Sequence, residues 1–222
     1  MKYPVNEVFE TIQGEGVFTG VPAIFVRLQG CPVGCAWCDT KHTWETLAEN
    51  RVDPALVIQV DGEVGRWSEL GAGELIDALK QKGFTAKHIV ITGGEPCMYD
   101  LQTLTQMLSE AGFQCQIETS GTFEVKCDDR TWVTVSPKVN MKGGFEVLSQ
   151  ALERANEIKH PVAKASHVAE LDALLEGIVL DSKTICLQPI SQKPRATELA
   201  MKVCIERNWR LSIQTHKYLN ID

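Results

Sequence analysis

The chain has 222 residues, enough for one domain with a sizeable core but short for a complete eight-fold α/β barrel. Its net charge of −7 and the lack of any basic run argue against a partner made of free nucleic acid, because such binders carry a basic stripe. No apolar stretch approaches the ~20 residues of a membrane span and no signal-peptide pattern precedes the first motif, so a reducing cytoplasm is the expected location.

In chain order, the first recognisable segment is Glu10-Thr11-Ile12-Gln13-Gly14-Glu15-Gly16, which by itself reads as an N-terminal turn. Residues 23–28 form a short apolar, β-branched run and predict the first strand. Cys31, Cys35 and Cys38 follow it directly. Residues 47–73 break the rhythm with Pro54, Gly62, Gly65, Gly71 and Gly73, and read as an insertion within a single domain spanning 1–222. Helical periodicity then covers 74–82, ended by Gly83, and a strand at 88–92 runs into Gly93-Gly94-Glu95-Pro96. A helix at 101–111 stops at Gly112, strands follow at 116–119 and 132–136, and helices at 146–155 and 168–176, the latter before Gly177. The last elements are a strand at 184–188, a helix at 196–208 and a strand at 211–214. Alternation of this kind implies a parallel sheet with right-handed crossovers. The expected fold is α/β, a partial, open TIM-like barrel of about six parallel strands.

Eight cysteines would fit a disulfide framework only in a small secreted scaffold. Cys97, Cys115, Cys127, Cys186 and Cys204 are scattered singly and read as small core residues. The C-x₃-C-x₂-C run is different. Three closely spaced thiolates hold three irons of a [4Fe–4S] cube, whereas a closed ferredoxin-type cluster needs four cysteines. The fourth iron is then open to an outside ligand. Zinc is the competing reading, since Cys31, Cys35, Cys38 and His42 would complete a Cys₃His set. Against zinc, the loop follows a core strand, and a glycine-rich loop follows the next core strand. Gly34 suits a loop that wraps closely around a cube.

The cysteine run after a first strand, with Gly93-Gly94-Glu95-Pro96 after the second, resembles the radical S-adenosylmethionine superfamily. The resemblance narrows further. Residues 10–16, Arg27, Cys38-Asp39-Thr40, Val135-Ser136-Pro137-Lys138, Gln188-Pro189-Ile190-Ser191 and Gln214-Thr215-His216-Lys217 together resemble the 7-carboxy-7-deazaguanine synthase family, and they span the whole chain.

That resemblance implies a lyase of the queuosine pathway. It contracts 6-carboxy-5,6,7,8-tetrahydropterin to 7-carboxy-7-deazaguanine and releases ammonia. Adenosylmethionine would chelate the open iron and yield a 5′-deoxyadenosyl radical, which takes hydrogen from C6 and later returns it, so the cofactor is reusable. The resemblance assigns Cys31, Cys35 and Cys38 to the cluster and Thr40 to Mg²⁺. It assigns Trp37, Cys38, Asp39, Gly94, Glu95, Ser136, Pro137, Lys138, Gln188, Pro189, Ile190 and Ser191 to adenosylmethionine. Ile12, Gln13, Gly14, Glu15, Arg27, Thr92 and His216 go to the substrate, with His216 reaching in from the last strand. No protein acid or base is assigned.

The residue chemistry agrees with those roles. Arg27 offers a permanently charged fork for a carboxylate, where the bland reading is an ion pair. Gln13 offers a donor and an acceptor to a pterin edge, and the glycines of the second loop let backbone approach the methionine moiety. A single threonine is a weak Mg²⁺ site unless a bound carboxylate completes it. The family also implies a homodimer and a flavodoxin-type reductant. In some relatives the terminal carboxylate contacts substrate, but this chain ends differently, on Tyr218-Leu219-Asn220-Ile221-Asp222, and the resemblance assigns Asp222 no role. The competing functions are an activase that takes hydrogen from a partner protein's glycine, and a zinc-stabilised binding module.

Overall fold

The computed structural model describes residues 1–59 and 65–219. One nine-stranded sheet runs in the order β3-β1-β2-β4-β5-β6-β7-β8-β9. Its strands are β1 (Lys2–Ile12), β2 (Pro22–Leu28), β3 (Ser68–Gly71), β4 (His88–Gly93), β5 (Gln114–Thr119), β6 (Trp132–Val135), β7 (Glu157–Val162), β8 (Thr184–Pro189) and β9 (Arg210–Leu211). The helices are α1 (Ala72–Lys82), α2 (Gln102–Glu110), α3 (Ser149–Arg154), α4 (Ala165–Leu175), α5 (Pro194–Arg207) and α6 (Thr215–Leu219). From β2 to β9 every pairing is parallel, while β1 runs antiparallel to β2 and β3 antiparallel to β1. The sheet has two free edges and is open, as the sequence predicts, with seven parallel strands rather than about six.

Side chains on a strand alternate between faces. Ile24, Val26, Leu28, Ile89, Ile91, Ile117, Val133, Val135, Ile158 and Leu187 point one way and form the core with buried residues of the helices. Several intervening positions are polar: Gln116, Thr134, Glu157 and Lys159 are buried on the other face. The barrel interior is therefore a polar chamber. The five scattered cysteines are buried and free.

Three strands escaped the sequence reading: β1, β7, and β3 inside the expected insertion. In β1, Pro4, Asn6, Glu7 and Glu10 interrupt any apolar run. In β7, the residues Glu157, Lys159, His160 and Pro161 do the same. The expected strand at 211–214 shrinks to two residues, so His216 sits on α6 rather than on a strand. Residues 47–59 of the expected insertion form 3₁₀ turns, and residues 68–73 form β3 and the start of α1. Residues 60–64 and Asp222 lie outside the described residues.

The segment after β1 spans the open side of the barrel. The Gly14 carbonyl accepts from the Thr215 amide and hydroxyl at 2.9 and 3.0 Å, and the Gly16 amide donates to Ser212 Oγ at 2.9 Å. The Val17 amide donates to Glu157 Oε2 at 3.2 Å. Phe18 then packs on His88 and Trp132 as a floor. Among the described residues no helix is long and apolar enough to cross a membrane.

Candidate active site

A cleft of about 570 Å³ opens at the carboxyl ends of the parallel strands, where α/β sites gather. Its walls bring together every described residue that the family resemblance assigned to cluster, cofactor, Mg²⁺ or substrate except Pro137, which is buried outside the lining. His42 lies outside the lining too.

One wall is the cysteine loop. Cys35 is buried, and Cys31 and Cys38 are half-buried. Burial pushes the Cys31 thiol up to about 11, reinforced by Glu95 and the other two thiols. Such a site favours cysteines held as thiolates by iron over free thiolates. Gly34 has φ +74°, and a Cβ there would press on the backbone of Gly143 at 3.3 Å. Gly143 in turn donates to the Val33 carbonyl at 3.0 Å, so residues 141–144 back the loop. Among the described residues no three His, Cys, Asp or Glu side chains converge on one ion, as a single zinc would require.

The second wall is Gly93-Gly94-Glu95. Its glycines serve the loop's packing: a Cβ on Gly93 would run into Leu28 backbone, and one on Gly94 into the Gly30 carbonyl oxygen. Glu95 does not offer a free carboxylate to the cleft. It accepts from Thr119 Oγ1 at 2.6 Å, the Ser120 amide at 2.8 Å and the Cys97 amide at 3.0 Å, tying the end of β4 to the end of β5. Lys138 donates to the carbonyl and hydroxyl of Ser136 at 2.9 and 2.6 Å. Ser191 closes this side with φ 55°, a left-handed conformation that a non-glycine residue holds only where its surroundings fix it.

Arg27 faces Glu7 across the β1–β2 pair, and its Nε donates to Glu7 Oε1 at 2.6 Å. Its guanidinium lies 5.9 Å from the Phe9 ring centroid. The ion pair of the bland reading exists, yet it uses only Nε, leaving the terminal nitrogens for a carboxylate. Gln13 is more committed than expected. Its Oε1 accepts from the Glu15 amide at 3.1 Å and its Nε2 donates to Gln116 at 3.4 Å. His216 packs its ring against Gly14, where a Cβ would meet Nδ1 at 2.5 Å. Thr40 lies 3.6 Å from Cys38 Sγ through its hydroxyl, and Lys217 reaches to 3.9 Å from Asp39.

Sequence reasoning named Glu15 but missed Lys159 and Glu118, which complete the cleft's charged centre. Lys159 of β7, with a side chain 3% exposed, bonds Glu15 at 2.6 Å and both oxygens of Glu118 at 3.1 and 2.9 Å. Burial opposes charge on Glu15, but Lys159, with help from Gln214 and His216, holds its carboxyl down to about 2. Burial pushes Glu118 up to about 7; Lys159 opposes that rise, while Glu15 and Glu157 reinforce it. For Lys159, burial is outweighed by the three carboxylates, and its ammonium is held charged. The only local signal was a pair of charged residues, Glu157 and Lys159, at alternate positions of an otherwise strand-like stretch.

A model of the radical SAM superfamily matches residues 25–130. Along its whole length the chain is 60% identical to 7-carboxy-7-deazaguanine synthase of Escherichia coli (strain K12), covering 100% of both chains. It is 49% identical to the enzyme of that name from Buchnera aphidicola subsp. Schizaphis graminum, again over 100% of each, and 33% identical to the one from Synechocystis sp., covering 100% of this chain and 94% of that one. Among solved structures it superposes on QueE from Escherichia coli with a TM-score of 0.94 at 59% identity, covering 96% of this chain and 94% of the other.

Proposed function

The chain belongs to the 7-carboxy-7-deazaguanine synthases of the radical SAM superfamily, and from that premise we propose how its own residues bind and steer the substrate. It is a lyase of queuosine biosynthesis that contracts 6-carboxy-5,6,7,8-tetrahydropterin to 7-carboxy-7-deazaguanine with loss of ammonia. Its cofactors are a [4Fe–4S] cluster and S-adenosylmethionine. When bound, they supply a carbon-centred radical able to take hydrogen from the substrate.

The loop of Cys31, Cys35 and Cys38, whose thiols are free and at least half-buried, fits three corners of a cube. The wall formed by Trp37, Asp39, Gly94, Ser136, Lys138 and residues 188–191 would hold adenosylmethionine beside it. Glu95 acts here by positioning the loop. Arg27 binds the substrate carboxylate through its terminal nitrogens, and Thr92, its partner across β2–β4, lines the cleft beside it. Backbone at Ile12 and Gly14, with Gln13 and Glu15, presents hydrogen-bonding groups to the pterin, and His216 covers them. Thr40 offers one neutral oxygen, so Mg²⁺ would bind there only with the substrate carboxylate completing its shell. The chain is read as one domain, on the strength of its single core, acting as a homodimer in the cytoplasm. A flavodoxin-type reductant would approach the cluster loop at the exposed Trp37.

The observation that carries this reading is one cleft with three thiols on one wall and a guanidinium plus buried charge on the other. Anaerobic protein with a full cluster complement, given carboxytetrahydropterin, adenosylmethionine and reductant, is expected to yield the deazaguanine. A cluster-replete sample that makes none overturns the assignment, and with it Arg27's role. Arg27→Ala is expected to leave iron content unchanged and raise KM for the pterin by about 10–100-fold, the worth of a charged hydrogen bond. Unchanged kinetics would remove Arg27 from the substrate site.

A further inference from the structure

The product is the substrate less ammonia, so the ring contraction needs no external oxidant. Individual atoms still exchange protons. A ring carbon must lose a proton, and that C–H pair becomes the new ring C=C as the C–N bond breaks. The nitrogen leaves with the C–N pair and takes up a proton. Building on the ring-contraction reading above, we propose that Glu118 accepts the carbon proton and passes it to the departing nitrogen, with Lys159 and Glu15 holding its carboxylate in place.

Glu15 and Glu118 each accept three hydrogen bonds, and the lengths distinguish them. The lysine lies closer to Glu15: Oε2 accepts from Lys159 at 2.6 Å, against 2.9 and 3.1 Å at Glu118, and Oε1 accepts from Gln214 at 2.8 Å and Gln188 at 3.4 Å. A carboxylate held this firmly in its charged form is too weak a base. Lys159 is clamped between two carboxylates and has no lone pair to offer. Glu118 accepts from Lys159 and from Gln116 Nε2 at 3.0 Å, and it borders the cleft at the carboxyl end of β5. Glu95, also in the wall, is consumed by its three internal donors.

The charges facing Glu118 come from every neighbouring element: Lys159 and Glu157 on β7, Glu15 after β1, and Lys138 after β6. With burial, their sum leaves Glu118 changing charge close to neutral pH, where a group both takes and gives a proton most efficiently.

The test uses Glu118→Gln holoenzyme and pterin deuterated at C6. The variant is expected to keep its iron and to move deuterium into adenosylmethionine at close to the wild-type rate. Ammonia and deazaguanine should fall by about 100-fold or more. Glu118→Asp should recover part of that loss. Wild-type product formation should climb as pH rises through about 7, with Glu118 ionising, and the variant should lack this limb. An infrared titration should show a carboxyl band changing near that pH in wild type and missing in Glu118→Gln. The proposal fails if Glu118→Gln makes product normally, or if deuterium transfer and product vanish together. It also fails if His216→Gln, rather than Glu118→Gln, separates the two. A wild-type control that makes no deazaguanine defeats the ring-contraction reading instead.

Discussion

Lys159→Met is expected to destabilise the fold by about 3–5 kcal/mol and to stop turnover. Methionine matches the length of the lysine stem, so little packing is lost. What is lost is the one buried ammonium shared by Glu15 and Glu118. Both carboxylates then stay in the polar chamber without a counter-charge, the costly case for buried ions. The pH dependence gives the cause away. In wild type the Glu15 carboxyl is held near 2, below its ordinary value, so its stabilisation is present above the ordinary carboxylate range and is lost only as pH falls through about 2. Without Lys159, burial dominates and Glu15 joins Glu118 in having a raised value. A group raised in the folded state stabilises below its ordinary value and loses that contribution as pH climbs through the folded one. The variant should therefore weaken steeply from about pH 5 to about pH 8, and the gap to wild type should widen. Anaerobic denaturant unfolding at those two pH values measures it. Combining Lys159→Met with Glu118→Gln should restore part of the stability, since one uncompensated charge is removed. A loss below about 1 kcal/mol that is the same at both pH values would mean the trio is solvated and carries no such energy.

The same trio marks where sequence reasoning reaches its limit. The cluster loop was legible because its chemistry is written in local spacing, three cysteines within eight positions of a strand–loop junction. The glycine loop was legible for a similar reason, although its glycines turn out to relieve contact with Leu28 and Gly30 backbone rather than with a ligand alone. The strands at 88–92, 116–119 and 184–188 stood out because their helix-facing residues are apolar. Lys159 had no such local signal. It lies 144 positions from Glu15 and 41 from Glu118, and only barrel curvature brings the three together. The features that make β7 part of the site, charged residues and a proline facing the chamber, are the ones that removed its strand signature. His216 was placed correctly at the cleft and wrongly on a strand, because a two-residue β9 leaves room for α6.

Gly94→Ala is expected to cost about 1–3 kcal/mol in overpacking and to leave the protein with little iron. Two backbone hydrogen bonds sew the glycine loop to the end of β2: the Gly94 amide to the Leu28 carbonyl at 2.9 Å, and the Glu95 amide to the Gly30 carbonyl at 2.8 Å. A methyl on Gly94 would run into that second carbonyl and stand 3.1 Å from Cys31 Cβ. Its neighbours there are backbone and the first atom of a candidate iron ligand, so no flexible side-chain end can yield. The loop must move away, which breaks the Glu95 bond to Gly30 and shifts Cys31 relative to Cys35 and Cys38. Gly73 supplies the control. It lies in the first turn of α1, and a methyl there would have nothing within 4 Å, so Gly73→Ala should leave iron unchanged and stabilise slightly, as alanine does in a helix. Iron per chain after anaerobic reconstitution, measured beside thermal unfolding, separates the two. If Gly94→Ala takes up iron and turns over like wild type, the close approach of the two loops is incidental packing. If it loses iron while Gly73→Ala does not, the glycine loop is the template against which the first cysteine is set.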